Sequence, residues 1–184
     1  TLSRSSVSSI NCNKVTHLGW YSLYNASKLK TVLVPNVTVV GTRLFEYSDV
    51  QDVYFPKLKS ISAISVGNGA SGPFGYVKNS IKLGIEVTSI PTGTFQGHLD
   101  WYKNPVKIID LSECVGVTKI NTETFSKMSG LVTLILPPNL LTIDEKAFSV
   151  ITSTCTIEIP ESVTNVAAGA FYDCKNVSLK APKH

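Results

Sequence analysis

The chain has 184 residues, of which 43% are hydrophobic and 16% charged, with a mean hydropathy of +0.15. That is one domain's worth of sequence, too apolar and too weakly charged for a disordered segment. The net charge of +4 comes from scattered lysines with no run of five basic residues, which excludes a concentrated nucleic-acid footprint. No stretch reaches the ~20 apolar residues that span a bilayer, and Thr1-Leu-Ser-Arg-Ser-Ser lacks the pattern of a signal peptide.

Taken in chain order, two phrases alternate. Val7-Ser-Ser-Ile10-Asn-Cys12 reads as a strand, and Leu18 to Leu23 follows as a turn phrase. Leu29-x-x-Val32-x-Val34-Pro35 and Val50-x-x-Val53-x-Phe55-Pro56 are strands with one buried face, each ended by a proline that has no N–H for a ladder. Val40 to Phe45 lies between them, and a stretched turn phrase leads to Phe74. Val87-Thr-Ser-Ile90 introduces the phrase ending at Phe95, and Val117-Thr-Lys-Ile120 the one ending at Phe125. Phe125, Met128 and Leu131 then follow at three-residue steps, predicting a short helical or 3₁₀ turn. Leu131-x-x-Leu134-x-Leu136-Pro137 is the next strand. Ile143 to Phe148, Ile157-x-Ile159-Pro160, Val166 to Phe171 and Val177 to Pro182 repeat the grammar. Counting Leu23 as the first member, the phenylalanine spacing runs 22, 29, 21, 30, 23 and 23.

A period in the twenties means a solenoid, here of about seven units in one domain. No unit can offset its own chain entropy, so each must stack on its neighbours. Neither end shows a polar cap, and the expectation is a fragment of a longer protein.

Ala147-Phe148, Ala170-Phe171-Tyr-Asp-Cys174 and Ile157-Glu-Ile159-Pro160-Glu-Ser-Val-Thr resemble the BspA-like, or treponemal-type, leucine-rich repeat. The likeness covers residues 118–182 and 15–61 best and is loosest over 62–117. It implies an α/β repeat solenoid: a right-handed leucine-rich-repeat superhelix with one parallel β-sheet and short helices or 3₁₀ turns on the convex side. It further implies an extracellular or cell-surface protein, often an adhesin, with no catalytic residues to carry over.

Two insertions break the register. Residues 62–73 are glycine-rich, but lack the Gly-x-x-x-x-Gly-Lys-Ser/Thr pattern that would cradle phosphate, so a plain loop is the reading. Residues 97–105 bring His98, Trp101 and Tyr102 into a segment where the repeat needs none of them. They either anchor a partner or fold back to fill a stretched unit. The strand positions expected to face outward are Thr31, Leu33, Asp52, Tyr54, Lys82, Ile108, Asp110, Thr133, Ile135, Thr156, Glu158, Ser178 and Lys180. Tyr54, Asp52, Trp101, Tyr102, His98, Asp110, Ile108, Ile135 and Glu158 are the candidate contacts.

Cys12, Cys114, Cys155 and Cys174 have no zinc spacing and read as free buried thiols, with Cys155 and Cys174 the nearest pair. The three histidines are scattered, and no Gly-x-Ser-x-Gly elbow occurs. Asn25-Ala-Ser27, Asn36-Val-Thr38 and Asn176-Val-Ser178 are glycosylation sequons that matter only in a eukaryote. The expectation is a non-enzymatic module without cofactor or metal that binds a protein or glycan on a host or neighbouring cell, without nucleic-acid or membrane partners. The alternative is a structural spacer or assembly arm in a larger surface or viral fibre protein.

Overall fold

A computed structural model describes residues 2–63, 71–97 and 104–181. Eight strands form one parallel sheet: β1 (Ser9–Asn11), β3 (Thr31–Leu33), β5 (Asp52–Phe55), β7 (Ser80–Leu83), β8 (Ile108–Asp110), β10 (Thr133–Ile135), β12 (Cys155–Glu158) and β14 (Val177–Lys180). They pair in that order, each with the next, so the eight strands bound seven coils of a solenoid. The single sheet expected from sequence is joined by two more. β2 (His17–Leu18), β4 (Val39–Val40) and β6 (Ser60–Ile61) form one short parallel sheet. β9 (Lys119–Ile120), β11 (Thr142–Ile143) and β13 (Asn165–Val166) form the other. Val117-Thr-Lys-Ile120 and the equivalent steps of the other five coils supply these strands and let successive coils pair a second time, whereas Val87-Thr-Ser-Ile90 forms no strand.

The expected short helices do not form: the described residues contain none. Five of the turn phrases carry left-handed backbone at two positions four apart, such as Glu123 (φ 55) and Lys127 (φ 57), or Lys146 (φ 56) and Val150 (φ 58); the phrase at Phe95 has only Gly93 (φ 68). A helix cannot run through such positions. What remains are single turns, for example Thr124 N–H to Asn121 O at 3.3 Å and Ser126 N–H to Glu123 O at 3.2 Å. The intervening amides donate to the next coil instead. Lys146, Phe148 and Val150 donate to the carbonyls of Gly169, Ala170 and Tyr172 at 3.1, 2.9 and 2.9 Å. The turn side is thus a third ladder between coils.

Inside, the strand centres form one apolar row through Val53, Ile81, Ile109, Leu134 and Ile157, all buried. Behind it the phenylalanines stack as the sequence predicts. Ring centroids lie 5.5 Å apart from Phe74 to Phe95, 5.1 Å from Phe95 to Phe125 and from Phe125 to Phe148, and 4.8 Å from Phe148 to Phe171. Both stretched units keep the sheet in register, because β5, β7 and β8 pair directly. Asn104 closes the second stretched unit. Its fully buried side-chain amide donates to Phe95 O at 2.7 Å and Phe74 O at 3.3 Å, and its oxygen accepts from Val106 N–H at 3.0 Å. One side chain therefore supplies hydrogen bonds that regular coils obtain from backbone.

Phe148→Ala removes a ring packed on both faces and should cost about 3–5 kcal/mol in chemical denaturation; a loss below ~1 kcal/mol would mean the stack is not a structural column. Asn104→Ala leaves buried carbonyls without their donor and should cost about 2–3 kcal/mol, with the amides of residues around 95 and 106 exchanging first.

Candidate binding surface

Alternation within each strand places one set of side chains in the core and the other on the outer face of the main sheet. Parallel pairing then lines the outer set into two rows. One row runs Ser9, Thr31, Asp52, Ser80, Ile108, Thr133, Thr156 and Ser178 across all eight strands. In the other, Tyr54 stands beside Lys82, Lys82 beside Asp110, Asp110 beside Ile135, and Glu158 beside Lys180. Six of the candidate contacts, Asp52, Tyr54, Ile108, Asp110, Ile135 and Glu158, therefore share one continuous face. Trp101, Tyr102 and His98 lie outside the described residues.

The polar groups at the centre of this face satisfy one another. Lys82 Nζ lies 2.7 Å from Glu113 Oε1, 3.6 Å from Asp110 Oδ2 and 5.7 Å from the centre of the Tyr54 ring. Its pKa is raised, chiefly by the hydrogen bond to Glu113. Asp110 Oδ1 accepts from Ser112 N–H at 2.9 Å and Ser112 Oγ at 2.6 Å. Burial pushes the Asp110 carboxyl up, but the two Ser112 bonds and Lys82 outweigh it, so its pKa is lowered. Asp52 Oδ1 accepts from Asn79 Nδ2 at 2.7 Å and from Ser80 Oγ. Fixed in this way, these groups offer a pre-set polar pattern rather than loose charges.

Beside them runs an apolar groove of about 630 Å³, lined by Leu33, Val34, Pro35, Tyr54, Pro56 and Lys82 among others. Leu33 is 54% and Tyr54 48% exposed. A second groove of about 820 Å³ lies over Ile135, Pro138, Thr156, Glu158, Pro160 and Lys180. The prolines that end the strands form walls in both.

Glu113 and Ser112, which fix the centre of the face, were not candidates in the sequence; they sit in the loop after β8, and no spacing links them to Lys82. Also missed is a group of aromatics on the turn side, Trp20, Tyr21, Tyr24 and Tyr47. The 23-residue step from Tyr24 to Tyr47 equals the repeat and was the available signal.

The cysteines divide. Cys114 and Cys155 are buried and Cys174 half-buried, as the repeat suggests, but Cys12 follows the edge strand β1 and is exposed. Burial, assisted by Glu113 and Asp110, pushes the Cys114 thiol up to about 12, far from the range of a reactive thiolate. Among the described residues no three of His, Cys, Asp and Glu converge on a metal position.

The profile of the BspA type leucine rich repeat region matches residues 1–68 and 100–182, in six copies. The chain belongs to this family. The unmatched residues 69–99 still contribute β7 to the main sheet, so this BspA-type solenoid continues where its sequence departs from the family pattern. A crystal structure of a leucine rich cell surface protein from Faecalibacterium prausnitzii is similar at 14% identity, with a TM-score of 0.36. The likeness covers 96% of this chain and 61% of that one. No curated protein matches.

Asp110 should titrate below the ordinary value of about 3.9. Its contribution to stability is then complete above that unfolded-state value and is lost as pH falls through the lower folded value. Ser112→Ala should move the titration upward and shrink this contribution, as read by carboxyl-carbon NMR. An unmoved titration would place the cause elsewhere.

Proposed function

We propose that this BspA-type solenoid is a non-catalytic binding module of an extracellular or cell-surface protein, and that it engages a protein or glycan through the outer face of its main sheet. The continuous two-row face carries this reading. It sets Tyr54, Ile108 and Ile135 as apolar contacts among fixed polar groups, Asp52, Asp110 and Glu158. Three exposed large apolar side chains on one sheet face, with grooves at their flanks, have the make-up of a contact surface with a polar rim. The Lys82–Asp110–Glu113 group suits recognition better than proton transfer, because Lys82 is held by both carboxylates and Asp110 is further fixed by Ser112. Membership of the family supports the surface location.

A specific complex on this face should bury about 1,200–2,000 Å² in total. The test is binding of the purified chain to panels of host cell-surface proteins and to a glycan array, with Tyr54→Ala/Ile135→Ala as control. The expected result is a saturable ligand whose binding drops by roughly thirtyfold or more in the control, the size of one interface hot spot, at unchanged melting temperature. A folded chain that finds no ligand on either panel, or one whose ligand ignores the double variant, would contradict the reading. The former result would favour a spacer.

A further inference from the structure

The turn side of the first coils carries aromatic side chains that the fold does not call for. Trp20 is 67% exposed and Tyr21 40%. Tyr21 meets Tyr24 edge-on at 5.3 Å, Tyr24 meets Tyr47 edge-on at 5.6 Å, and Tyr47 meets the buried Tyr76 at 5.2 Å. The Arg43 guanidinium lies 5.6 Å over the Tyr21 ring. Trp20 rests on Gly41, where a Cβ would come within 2.6 Å of its Cδ1. The result is a continuous aromatic strip crossing three coils, outside the phenylalanine column.

Two of these tyrosines occupy backbone positions that disfavour them. Tyr21 (φ 54) and Tyr47 (φ 58) sit in the left-handed region, where a bulky side chain is an outlier. The partner positions in these two turns hold Asn25 and Arg43, and the paired left-handed positions of later coils hold Glu123, Lys127, Lys146, Val150, Gly169 and Asp173. None of those is aromatic, so aromatic rings are not a requirement of the turn. The left-handed backbone belongs to the fold, but the choice of exposed aromatic side chains at these positions does not follow from it.

We infer that this strip is a second binding surface, distinct from the main sheet face, and that it takes an acidic segment of a partner protein bearing an apolar side chain. Trp, Tyr and Arg are the residues that dominate protein–protein hot spots. The tyrosine rings are held by one another before any partner arrives, so little of their side-chain entropy is lost on binding. The charge follows from the surroundings. Glu46 is buried against Arg43 (3.5 Å) and Ser71 (3.0 Å), and Asp49 lies 4.0 Å from Lys78. Arg4, exposed, joins the strip through its backbone bond to Tyr24 O at 2.8 Å. Arg43 and Lys78 each stand beside a carboxylate, Glu46 being sealed below the surface, and the exposed Arg4 leaves the neighbourhood with one positive charge in excess.

The test is selection of a phage-displayed random peptide library on the intact chain, with counter-selection on Trp20→Ala/Tyr21→Asn. Asparagine tolerates the left-handed backbone, so the variant should keep its melting temperature; Trp20→Ala alone serves if the pair melts early. Surviving peptides should combine Asp or Glu with Leu, Phe or Trp and weaken as salt rises. They should lose roughly thirtyfold in affinity for the variant, the size of a hot-spot loss, and bind Tyr54→Ala unchanged. The inference is overturned if no peptide survives, if survivors are basic or insensitive to salt, or if they bind the variant equally. A Trp20-dependent glycan without such peptides would also overturn it. Loss on Tyr54→Ala instead would assign the peptides to the sheet face and leave that proposal standing.

Discussion

Everything in this molecule depends on backbone hydrogen bonding from one coil to the next. A single coil of some 23 residues buries too little to hold itself together. Pairing occurs on three sides: in the main sheet, in the two short sheets, and through the left-handed turns. Single turns at the corners, such as Val37 N–H to Val34 O and Leu140 N–H to Pro137 O, satisfy further buried amides within a coil. The phenylalanine column and the central aliphatic row fill the space that these ladders enclose. Stability is therefore spread along the axis, and a defect such as a missing ring is felt mainly by its neighbours.

The same constraint creates the candidate binding face. Once parallel strands are in register, alternate side chains must form rows, and residues far apart in sequence become neighbours. Lys82 meets Tyr54 on one side and Asp110 on the other for this reason alone. Glu113 is then within reach because the chain turns immediately after β8. A surface of this kind can be altered row by row without disturbing the core, since outward positions carry little of the packing. That independence suits a scaffold whose function lies in recognition.

The repeat was legible because it is written in features that the coil cannot do without. Leu131, Leu134 and Leu136 followed by Pro137 announce a one-sided strand that stops, and Phe125 and Phe148 mark the column behind it. The outward positions followed from alternation and are found there. The helices were misread because Phe125, Met128 and Leu131 recur at three-residue steps, which a tight left-handed turn also produces. Gly169 could have signalled such backbone, but Glu123, Lys127 and Val150 hold the same conformation and do not advertise it. Trp20 and Tyr21 were passed over because they lie within a turn phrase and read as repeat variation. Their exposure, the left-handed backbone of Tyr21 and its ring contact with Tyr24 exist only in three dimensions.

The turn side is a ladder between coils and not a set of local helices. Amide hydrogen exchange, followed residue by residue, tests this directly. The amides of Phe125, Lys127, Phe148 and Val150 should be protected to a degree comparable with strand amides such as those of Ile109 and Leu134. They should also be lost together with them as denaturant rises. Rapid exchange of these four amides while the strands stay protected would contradict the account and leave the main sheet to hold the solenoid alone.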